Sequence, residues 1–171
     1  MKKFIAVCFL TVASFSCYAQ DFSNAELSAR EQVAQTIKLW HRAAANANFE
    51  AYFGLMTEDA VFIGTEATEN WQNQDFREYA KPHFDKGKAW EFRAMQRNIY
   101  LGKNGDYVWF DELLDTQMGI CRGSGILEKK DENWKIKHYV LSITIPNENV
   151  DEVLAIKKEA DQELQSKLQK N

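Results

Sequence analysis

Apolar residues recur at near-helical spacing from Leu27 through Val33, Ile37, Trp40, Ala44 and Ala47, with polar residues between them. That period predicts an amphipathic helix over residues 24–46, opened by Ser23 and Glu26 in capping-box relation. "NFEAYFGLM" restarts a shorter helix with Asn48 as its cap, burying Phe49, Tyr52, Phe53 and either Leu55 or Met56. "TEDAVFIG" turns at residues 57–59 and enters a short strand. "TEATENWQNQ" reads as a loop, and "NQDFREYAKPHF" as a third helix with Phe76, Tyr79, Ala80 and Phe84 inward. Pro82 kinks or ends that helix, because proline lacks the backbone donor.

After Gly87 the period changes to two. Residues 90–101, 107–115, 119–129 and 134–145 are rich in aromatic and β-branched residues, and "GKNGD", "TQMG" and "KKDEN" separate them as hairpin turns. Four strands with short connections make an antiparallel meander. With helices only before and after it, the fold class is α+β. Pro146 halts the last strand. Asn149 and Glu152 then cap a C-terminal helix whose apolar residues are Val150, Val153, Leu154, Ile156, Leu164 and Leu168, and whose polar end frays or extends into solvent.

The opening "MKKFIAVCFLTVASFSCYAQ" joins two lysines to an apolar run too short for a membrane span and a small-residue site at Ala19. It reads as a bacterial secretory signal over residues 1–19, placing the mature chain in the periplasm or outside the cell. Lipid anchoring at Cys17 is the rival, but Ser14, Phe15 and Ser16 lack the aliphatic residue usual before such a cysteine. Removing 19 of 171 residues leaves 152 and takes away Lys2 and Lys3, moving the formal net charge from −4 to −6. So acidic a chain has no electrostatic footprint for nucleic acid or anionic lipid. Cys8 and Cys17 leave with the signal, so Cys121 has no internal disulfide partner; it reads as a small buried residue rather than a nucleophile.

His41, His83 and His138 are far apart and no paired-ligand spacing occurs, so no metal is expected. "RGSGI" lies within a strand rather than at a nucleophile elbow, and no glycine loop opens a helix, so no cofactor is expected either.

"VWFDELLD", "CRGSGILEKKDENWKIKHYVLSITIPNE" and "FREYAKPHFDKGKAW" resemble the SnoaL-like domain of the nuclear transport factor 2-like superfamily, over residues 27–149. The "W-K-I-x-H-Y-x-x-S" strand and the preceding "R-G-S-G" are the most specific parts. The resemblance implies a cone, in which a curved antiparallel sheet wraps around the N-terminal helices and leaves a pocket at its wide end. It sets a domain at residues 20–149 with a C-terminal helix or tail at 150–171. It also implies a homodimer through the outer sheet face. The superfamily holds isomerases, cyclases, dehydratases and noncatalytic assembly modules, so fold does not fix function.

Alternation along the strands proposes which side chains meet the pocket. On the last strand Lys135 and Lys137 alternate with Trp134, Ile136 and His138, so the even positions through Ser142 face inward. Arg122, Ser124 and Ile126 share one face of their strand, and Cys121, Gly123, Gly125 and Leu127 the other. The first set is placed on the pocket side unless a bulge reverses it. Alternation alone does not choose between Asp111 and Glu112. Asp111 is taken as the inner acid, on the face of Tyr107 and Trp109 and paired with Arg97 or Arg122, with Glu112 outward.

The expected ligand contacts are then Trp71, Trp90, Arg97, Trp109, Arg122, Ser124 and Ser142, with Asp111 and His138 as candidate catalytic residues. The leading expectation is an exported protein that binds a small, partly apolar molecule. The alternatives are an isomerase, cyclase or dehydratase with Asp111 as base, and an assembly module. An Asp111–arginine ion pair would instead be structural, since pairing lowers a carboxyl pKa and weakens the base.

Overall fold

The computed structural model describes residues 12–170, with side chains described from residue 28 onward. The leader assigned to residues 1–19 therefore lies partly outside the described residues, and at Cys17 and Ala19 only the backbone is described.

Helix α1 (Val12–Ala45) is continuous through Ser23, so the Ser23–Glu26 pair does not open it. Val33, Ile37, Trp40 and Ala44 form its fully buried stripe, with His41 buried beside them. Helix α2 (Phe49–Gly54) begins as expected, the Asn48 side chain accepting the Ala51 amide at 3.0 Å. Helix α3 (Asn73–Asp85) buries Asn73, Phe76, Ala80 and Phe84 and runs past Pro82, whose missing donor falls in the last turn. Tyr79 stands at the edge of that stripe and is exposed rather than inward.

The strands are β1 (Met56–Ile63), β2 (Asn70–Gln72), β3 (Phe92–Leu101), β4 (Tyr107–Thr116), β5 (Gly119–Lys130) and β6 (Asn133–Ile143). They form one curved, unclosed sheet in the order β2-β1-β6-β5-β4-β3. β3 to β6 are the expected antiparallel meander. β1 joins β6 in parallel and takes in residues 57–59, with a register shift between Met56 and Val61 in place of a turn. β2, read as loop, pairs antiparallel with β1 and carries Trp71 opposite Phe62.

Two bulges bend the meander, each adding one residue to its strand. Met95 is extra between Ala94 and Gln96 on β3, and Lys137 is extra between Ile136 and His138 on β6. The second inverts the expected facing of β6. Trp134 and Ile136 are buried before it, whereas Tyr139 and Leu141 are buried after it. His138 and Ser142 are thereby turned to the convex side.

The concave face closes over α1, α2 and α3 through an aromatic core. Trp40 stacks on Tyr52 at 4.9 Å between centroids, and Phe62 on Phe76 at 4.2 Å. After a single 3-10 turn (Asn147–Asn149), helix α4 (Val150–Leu168) buries none of its residues, and Asn149 makes no side-chain cap bond. Among the described residues no helix is long and apolar enough to cross a membrane.

Candidate functional site

On β4 the buried set is Val108, Phe110, Glu112 and Leu114. Glu112 is therefore the inner acid, and the assignment of Asp111 to that role is corrected. Facing inward, β4 contributes three apolar side chains and one acid for which partners exist across the core. Asp111 lies half-buried on the convex face, accepting from Asn98 Nδ2 at 2.9 Å and from the Tyr100 hydroxyl at 3.0 Å. Trp109, Arg122 and Ser124 are on that face too, with Trp109 49% and Arg122 also exposed. The glycine set of β5 is the inward one.

Glu112 is 0% exposed and holds four elements together. Its Oε2 accepts from Nε of Arg97 on β3 at 2.9 Å and from Nη2 at 2.6 Å. Its Oε1 lies 2.7 Å from Nε2 of His41 on α1 and accepts from the hydroxyl of Tyr139 on β6 at 3.1 Å. Arg97 also reaches the Ala34 carbonyl on α1 at 3.4 Å. Gly123 makes room for the arrangement, since a Cβ there would sit 2.2 Å from the Tyr139 hydroxyl and 3.1 Å from Glu112 Cγ.

Burial is the largest single influence on the Glu112 carboxyl and would raise its pKa. The bonds and charges of His41 and Arg97 together outweigh it, and the group sits below its ordinary value. Burial first, and then the Glu112 charge, push the Tyr139 phenol well above its ordinary value. An ionised carboxylate only accepts, so His41 Nε2 carries the proton, leaving buried Nδ1 without a partner. With both oxygens occupied, Glu112 is a poor general base and a strong tie between α1, β3, β4 and β6.

The cavity lies elsewhere, at the end of the sheet where β1 and β6 finish beside the β4–β5 turn. It has a volume of about 160 Å³. Phe62, Trp71, Phe76, Trp90, Phe92, Met118 and Leu141 give it apolar walls, while Gly64, Thr65, Glu69, Tyr79, His83 and Gln117 complete the lining. Trp71 stacks on Tyr79 at 4.8 Å, and Tyr79 in turn meets His83 at 5.3 Å. Phe92 also packs edge-on against His41 at 5.7 Å, so this ring stands between the cavity and the buried ion cluster.

Of the residues proposed from sequence, the structure brings Trp71 and Trp90 together at the cavity and puts Arg97 in the buried cluster. Asp111, Trp109, Arg122, Ser124, His138 and Ser142 are not at the cavity. Ser142 instead lines an open groove between β6 and α4. His41 and Tyr139 were not singled out. His41 could have been found as a histidine adjoining an apolar helical stripe, whereas the Lys137 bulge hid Tyr139. Glu69 left no periodic signal. Among the described residues no group of three histidine, cysteine or acidic side chains could hold a metal.

The family model of the SnoaL-like domain matches residues 33–146. No curated protein matches the sequence. Similar solved structures include an NTF2-like protein of unknown function from Pseudomonas putida KT2440, with a TM-score of 0.60 and 14% identity over 72% of this chain and 92% of that one. A candidate dehydratase of the NTF2-like family from Streptomyces avermitilis has a TM-score of 0.59 and 11% identity, covering 68% of this chain and 96% of its own. An NTF2-like protein from Cytophaga hutchinsonii ATCC 33406 gives 0.56 and 17%, over 67% and 98% respectively. At such identities the likeness is one of fold.

Proposed function

We propose that this chain, which belongs to the SnoaL-like domain family, takes a small, partly apolar molecule into the aromatic cavity at the end of its sheet. One observation carries the reading: a concave space of about 160 Å³ walled by aromatic rings, with polar side chains in the same lining. Sites for small molecules typically have that make-up. Catalysis by either β4 carboxylate is less well supported, since Asp111 lies on the convex face and Glu112 is saturated behind Phe92. Mass spectrometry of molecules released from protein purified from its native host tests the reading. A compound should leave the wild type and be missing from Leu141→Trp, which fills the cavity. Equal retention by the variant would contradict it.

Two further parts of the reading concern assembly and location. Tyr100, Tyr107, Trp109, Ile120 and Ile126 are exposed large apolar residues on the convex side of β3 to β5. Apolar surface gathered on one side of a sheet marks an association face, and a homodimer through it is our reading. The first 19 residues support export, and intact-mass analysis of exported material should show a chain starting at Gln20. A diacylglycerol adduct on Cys17 would overturn the soluble form.

A further inference from the structure

The charge and ring content of the cavity wall point to a ligand class, and the inference rests on the cavity being the binding site. Glu69 is the one carboxylate on the lining, and none of the chain's 21 lysines and arginines is found among the lining residues. Its position is set by the backbone. Oε2 accepts the Glu66 amide at 3.1 Å and occupies the space a Cβ on Gly64 would need, 2.1 Å away. A carboxylate or phosphate ligand would lose its water here with no counter-charge to replace it.

A cation meets the opposite surroundings. Trp71 and Trp90 are among the lining rings, and an ammonium within about 6 Å of a ring centroid is attracted by the ring quadrupole, most strongly by tryptophan. The Phe62–Phe76 and Trp71–Tyr79 stacks hold those rings in place at 4.2 and 4.8 Å. Size narrows the class further. A space of about 160 Å³ suits one planar ring with a short substituent, since apolar cavities of about 150 Å³ take up benzene.

We infer that the cavity selects small organic cations, an ammonium group borne on a single ring or chain of that size, with Glu69 as the counter-ion and the tryptophans as the cage. His83 and Tyr79 are the other titratable groups on the wall.

Isothermal titration of the full chain at mildly alkaline pH with benzylamine, benzyl alcohol and benzoate tests the inference. Benzylamine should bind about tenfold tighter than benzyl alcohol, with benzoate weakest. Glu69→Gln should weaken benzylamine several-fold, leaving only the ring contribution to the preference, and leave benzyl alcohol unchanged. Glu66→Gln, a neighbouring exposed acid, should leave the preference intact. Equal binding of amine and alcohol, or an equal loss in Glu66→Gln, would overturn cation selection while leaving the cavity reading standing. Failure of all three compounds to bind would overturn both.

Discussion

Glu112 and Asp111 are adjacent acids whose side chains do different work, and the difference is measurable. Replacing Glu112 with glutamine leaves Arg97, whose side chain is 15% exposed, beside a neutral partner. Breaking one side of such a pair costs roughly 3–5 kcal/mol. Asp111→Asn keeps an acceptor for Asn98 and Tyr100 at a half-exposed site, so its cost should stay within about 1 kcal/mol. Denaturant unfolding of the two variants checks the order; a larger loss in Asp111→Asn would contradict the assignment.

The acid limb gives a second test at this scale. Because the Glu112 pKa in the fold lies below its ordinary value of about 4.5, its stabilisation is full above that value and is lost as the pH falls through the folded one. The stability gap between wild type and Glu112→Gln should therefore narrow from neutral to acid pH. A gap independent of pH would exclude ionised Glu112 as its source. Gly123→Ala forces a Cβ against the Tyr139 hydroxyl and should cost about 1–3 kcal/mol by overpacking. None of this could be read from "VWFDELLD", where either face is apolar and strand alternation is symmetric; the choice is made by His41 and Arg97, distant in the chain.

Elements with a strong period were legible. The buried stripe of α1, the Asn48 cap and the four-strand meander follow from residue spacing alone. Local geometry that breaks the period was not. A single bulge residue, Lys137, reverses the facing of everything after it on β6, and no turn residue announces it. The three-residue β2 is likewise too short for a pattern, yet it carries Trp71 to the cavity wall. Helix α4 was legible as a helix but not in its relation to the domain, beside which it lies across an open groove without burying a residue. A chain ended at Asn149 should accordingly keep its thermal midpoint within about 4 °C of the full chain, the shift expected for ~1 kcal/mol. A much larger drop would show that α4 packs in solution.

For the whole molecule, the proposed reading gives association to the convex face and ligand binding to the cavity. If the convex face pairs two copies, sedimentation at micromolar concentration should give a dimer, and Trp109→Asp on that face should give a folded monomer. A wild-type monomer at every accessible concentration would remove that part of the account. The cavity bears on the central claim, and amide chemical-shift mapping with phenol as a neutral single-ring probe tests it most directly. Saturable shifts should cluster at residues 62–71, 76–92, 117–118 and 141, around the lining side chains. Shifts confined to the convex strands around Trp109 and Ile126, or none at millimolar probe, would contradict it.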